Sequence, residues 1–169
     1  MLPLRCIVAS MFLLQCSFGL SPLASSSKSA PMDEVQTVVA KLQLIEHEPL
    51  TDKSRWARVD LIHFFEHSKY LACPNLLGPL LESKHKEAGF IWFQMILASG
   101  VYLLQNPEAA SDEPRYVLAG VESALRAYEA ILKKKPKLRV ELLDTLVLQR
   151  EQGKLRDWVS EHMCKRASE

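Results

Sequence analysis

A chain of 169 residues with 48% hydrophobic and 24% charged side chains can bury one sizeable core, and with Gly 6 and Pro 9 it is neither collagenous nor low-complexity. Lys+Arg 21 against Asp+Glu 20 leaves a net charge of +1. That balance excludes a nucleic-acid partner held by a basic excess of phosphate contacts.

The acid-poor N-terminus comes first. Arg5 precedes an apolar run from Cys6 to Leu14, and Ser17-Phe18-Gly19 places small residues where a signal peptidase reads. A basic start, an apolar middle and a small-residue exit have the shape of a secretory signal peptide over residues 1–19. Residues 20–31 form a Ser-rich flexible lead, and residues 32–169 a single domain. A Ser-rich organelle transit peptide is the alternative leader. A lipid anchor at Cys16 is a third reading, against which Gln15 stands.

The domain shows no sustained period-2 alternation, so all its elements are predicted helical. The first runs from Met32 to His47, with Val35, Val38, Val39, Leu42 and Ile45 on one stripe and Asp33 and Glu34 in the first turn. Thr51 caps a second helix to Ser68, whose inward face is Ala57, Leu61, Phe64 and Phe65. Asn75 to Ser83 is a short interrupted helix packing through Leu76, Leu77, Leu80 and Leu81. Residues 88–104 are nearly all apolar, with Gln94 and Ser99 as the only polar side chains. At roughly 25 Å this stretch falls short of the ~30 Å hydrocarbon core, so it is predicted to be a buried central helix with no solvent face.

Ser111 or Asp112 opens a fifth helix with the stripe Val117, Val121, Leu125, Tyr128 and Leu132. Its outer face carries Glu122/Arg126 and Glu129/Lys133 as acid-before-base pairs, and Lys133 to Lys135 cap its C-terminal end. Leu138 to Gln152 is a sixth helix stopped by Gly153, and a last short one follows. Trp92 and Trp158 belong to the core by pattern, and short connections predict antiparallel neighbours. Ala124, Tyr128, Ile131 and Pro136 resemble the second helix of a tetratricopeptide repeat. The resemblance covers one helix and implies helical-hairpin packing.

The sharpest chemical motif is His63-Phe64-Phe65-Glu66-His67. It matches H-x-x-E-H and resembles the metal helix of pitrilysin-like peptidases. That resemblance implies zinc on His63 and His67, Glu66 as the base activating water, and a downstream glutamate such as Glu141 as third ligand. A helical wheel puts His63 and His67 with Asp60 opposite the apolar face, on a water-facing stripe. A catalytic metal wants a walled cavity, so no metal, cofactor or catalytic residue is expected here. Trp56 shares the same stripe and is expected to pack on a neighbouring helix, with a partner-binding hot spot as the alternative. Cys73 and Cys164 remain after leader removal and form either one disulfide or two free thiols.

The expected protein is thus an exported, all-α bundle or short array of antiparallel helical hairpins around a central helix 88–104. It would be secreted or envelope-located, without a membrane span in the mature chain, and would bind a protein or peptide. A zinc hydrolase at residues 63–67 is the alternative. Mass spectrometry of the native protein should find a mature N-terminus between Leu20 and Met32; an intact Met1 would remove the export reading.

Overall fold

The computed structural model describes residues 32–66 and 75–163. These form six α-helices, two short 3-10 segments and, among the described residues, no strand. Helix α1 spans Met32–His47 and buries Val38, Leu42 and Ile45, while Val35 and Val39 are half-buried. The chain turns at the buried Pro49, and Thr51 caps α2, Asp52–Phe65, by accepting the Ser54 N–H at 3.3 Å. Glu66 closes α2, short of Ser68, which lies outside the described residues.

A 3-10 segment at Gly78–Glu82 replaces the expected short helix. It buries Leu80 beside Leu76 and Leu77, but Leu81 stands in solvent. Helix α3 covers Lys86–Gln105 and a second 3-10 segment Pro107–Ser111. Asp112 caps α4, Glu113–Lys134, and α5, Glu141–Glu151, follows. The start of α5 falls later than expected because Leu138 is buried in the turn after Pro136, its N–H bonded to the Lys135 carbonyl. Gly153, at φ 71°, ends α5. The Lys154 N–H reaches back to the Gln149 carbonyl and the Gly153 N–H to the Arg150 carbonyl, which satisfies carbonyls of the last turn. Helix α6, Leu155–His162, comes last.

The largest helix–helix contact joins α3 to α4. The two are antiparallel: Gln94 meets Ser123 and Tyr102 meets Arg115. Close approach comes from Gly120. A Cβ there would run into the Ser99 hydroxyl and lie 2.5 Å from the Met95 carbonyl oxygen, which is backbone and cannot move aside. Helices α1 and α2 are also antiparallel, tied by Lys41 to Asp60 at 2.8 Å. By contrast α2 and α3 run in the same direction, since Arg58 lies over Phe90 and Phe65 against Gly100. The long connection from Glu66 to His85 permits this; the short connections elsewhere do not.

Two apolar clusters share α3. Val38, Leu42, Ile45, Ala57 and Leu61 close on Leu97, Ala98 and Val101; Met95, Ile91 and Leu103 face Val117, Val121, Leu125, Tyr128, Leu143 and Val159. Burying each such aliphatic side chain contributes about 1.5–3 kcal/mol. Helix α3 is nevertheless open on one flank, where Phe90 and Phe93 are 37% and 39% exposed. It is longer than the apolar stretch that marks it, and by length and composition it could cross a membrane. In this structure Gln94, Ser99 and Gly100 are buried against its neighbours. Trp92 and Trp158 sit at the margin of the core, half-buried.

Replacing Gly120 by Ala should destabilise the fold by about 1–3 kcal/mol through overpacking. Gly89→Ala, with nothing near its Cβ position, should stabilise it by about 1 kcal/mol through helix propensity. Urea melts of the two variants test the crossing; equal effects would show that Gly120 is not the contact that sets it.

Candidate functional site

His63 occupies the last turn of α2, and Glu66 is its closing residue. Both side chains are exposed, with His63 Nδ1 3.4 Å from Glu66 Oε2, and His67 lies outside the described residues. Glu141 opens α5, which packs on α4 and α6; among the described elements α5 does not touch α2. The fold therefore does not bring the implied third zinc ligand to His63. No group of three or more His, Cys, Asp or Glu among the described residues could hold a metal. Cys73 and Cys164 both lie outside the described residues.

The outer stripe of α2 carries a different signal. Trp56 is 62% exposed, so the expectation that it packs on a neighbouring helix is corrected. Val59 and Ile62 follow it at helical spacing and are exposed as well. The inner stripe Ala57 and Leu61 already fills the space against α1 and α3, and among the described residues no helix covers Trp56, Val59 and Ile62, which stand in solvent beside Asp60 and His63. The Arg55 guanidinium lies 5.6 Å from the Trp56 ring centroid and 3.3 Å from Asp52, so a cation flanks the aromatic. Apolar spacing on both sides of α2 was the signal available in the sequence; Val59 and Ile62 escaped notice because the histidines drew the stripe as polar.

Three of the buried polar residues, Glu46, Ser123 and Gln94, are tied in one chain of hydrogen bonds with Arg126. Arg126 donates from Nε and a terminal nitrogen to both oxygens of the buried Glu46, at 2.9 Å each. Ser123 Oγ donates to the same carboxylate and accepts from Gln94 Nε2 at 2.8 Å. Gln94 Oε1 is buried with no hydrogen-bond partner among the described residues. The hydroxyl of Ser123 is buried and links α4 to α1 through Glu46 and to α3 through Gln94. The expected pairs along α4 are redirected across helices. Arg126 binds Glu46 of α1, and Glu129 accepts from Arg150 of α5. Tyr128 donates to Asp144 and accepts the Val140 N–H, and burial pushes its hydroxyl up to about 12.

Lys135 is more than a terminal cap for α4. Its Nζ reaches Glu87 of α3 at 2.6 Å, and that hydrogen bond holds the Glu87 carboxyl below the usual carboxylate range. A carboxylate whose folded pKa is depressed stabilises the fold fully above its unfolded value, about 4.3, and loses that contribution as pH falls through its folded value. Glu87→Gln should therefore be less stable than the parent at neutral pH, with the difference closing as the solution is acidified below the carboxylate range. Denaturant melts across pH check this; a gap that persists unchanged in acid would place the effect outside the ion pair. Half-exposure of Lys135 keeps the effect modest.

No protein-family model matches the chain, and neither a curated protein nor a solved structure does.

Proposed function

We propose that this chain is an exported helical domain that acts by binding a protein or peptide. The observation that carries the reading is the exposed stripe Trp56, Val59 and Ile62 on α2, with Arg55 beside the indole. Tryptophan and arginine are the residues most enriched among the few that dominate binding energy at interfaces. A stripe spaced along one helix suits an apolar face of a partner segment, and the helical-hairpin architecture holds α2 rigidly from behind. The export part rests on the leader, whose basic, apolar and small-residue sections precede the domain. Its residues lie outside those described.

Affinity capture with the mature protein and with a Trp56→Ala/Val59→Ser variant tests the surface. Both positions are exposed, so the variant should melt within about 0.5 kcal/mol of the parent. A partner retained by the parent should be lost by the variant. A partner held equally by both would move the binding surface off α2.

A further inference from the structure

The N-terminal ends of α2 and α3 and the C-terminal end of α4 meet around a cavity of about 340 Å³. Arg55, Arg58, Lys86 and Lys135 line it against only two carboxylates, Asp52 and Glu87. Asp52 lies 3.3 Å from Arg55 and Glu87 2.6 Å from Lys135. Among the described residues, neither Arg58 nor Lys86 has a carboxylate within ion-pair distance, so the wall carries an excess of two positive charges.

Arg58 is the unusual member. It is only 7% exposed, and a buried cation is costly unless something compensates it. One of its N–H groups donates to the Pro49 carbonyl at 3.1 Å, and its guanidinium lies 4.6 Å over the Phe90 ring. Those contacts hold the fork in place, and among the described residues no carboxylate pairs with it. A second, more open hollow of about 540 Å³ adjoins the first, sharing Glu87 and Lys135; Pro136 and Leu138 are its apolar residues, beside His85 and Lys137.

We propose that the cavity binds a phosphate monoester, with Arg58 and Lys86 facing the phosphate and the adjoining hollow taking the ester's apolar group. A phosphate monoester is largely a dianion at neutral pH, its second pKa being about 6, which matches the wall's net excess of two positive charges. Its oxygens suit a fixed guanidinium fork together with a mobile ammonium. The site is a concave pocket on a chain of net charge +1, which favours a small free ligand over a polyanion or a charged bilayer. This proposal uses residues other than Trp56, Val59 and Ile62, so either reading can fail alone.

Calorimetric titration of the purified protein with phenyl phosphate at fixed ionic strength tests it, with phenol and inorganic phosphate as companion ligands. Phenyl phosphate should bind and raise the melting temperature, phenol should do neither, and inorganic phosphate should bind more weakly. Lys86→Gln, at an exposed position, should keep the fold and weaken binding about tenfold, and Arg58→Gln at least as much. If Arg58→Gln does not fold, Lys86→Gln decides alone. No response to phenyl phosphate, or an unchanged affinity in Lys86→Gln, would overturn the site. Equal affinity for inorganic phosphate would overturn the apolar arm. Retention on phosphatidate vesicles that phenyl phosphate does not displace would overturn the free-ligand assignment.

Discussion

The crossing of α4 over α3 at Gly120 is the contact on which the other helices depend. With no Cβ at that position, the backbone of α4 comes down on the Met95 carbonyl and the Ser99 hydroxyl. Ser99 turns its own hydroxyl to the Met95 carbonyl at 2.9 Å, so the small polar group is satisfied within its helix and presents little bulk to the neighbour. From this crossing Gln94 reaches Ser123, and Ser123 reaches Glu46 on α1. A helix pair held apart by one methyl group would break that chain at its middle.

Burial and polar pairing divide the labour around α3. Apolar contacts on its two sides supply the driving force, because each cluster removes a set of aliphatic side chains from water. The polar groups then select among arrangements. Glu46 is buried, so it must lie where Arg126 can grip both its oxygens; removing Arg126 would strand a charge inside the domain. Tyr128 does the same for the start of α5, where one hydroxyl serves both Asp144 and the Val140 N–H.

Helix α2 is the element with surface left over. Its inner stripe completes the smaller cluster, and its outer side leaves Trp56, Val59 and Ile62 in solvent beside Asp60 and His63. Arg55 belongs to both features of interest: it lies beside Trp56 and also lines the cationic cavity with Arg58. A partner on the α2 face and an anion in the cavity would therefore meet at one residue.

Much of this was legible in the sequence where the signal is local. Caps and breakers at Thr51, Asp112 and Gly153 act through their own backbone neighbourhood, and the stripes of α1 and α4 repeat at the helical period. The all-α class and the centrality of α3 followed from those patterns. What depends on which helix lies beside which was not legible. Glu122/Arg126 and Glu129/Lys133 have ideal spacing on one helix, yet Arg126 and Glu129 bond to groups on α1 and α5. The H-x-x-E-H pattern is equally local: it places His63 and Glu66 near each other but cannot place Glu141, which the fold carries to a helix that does not touch α2. The parallel course of α2 and α3, the exposure of Trp56 and the cavity around Arg58 arise only when distant segments pack. Sequence spacing determines which side chains share a face; the tertiary structure alone decides what that face meets, because partners across helices are chosen by burial and shape rather than by separation along the chain.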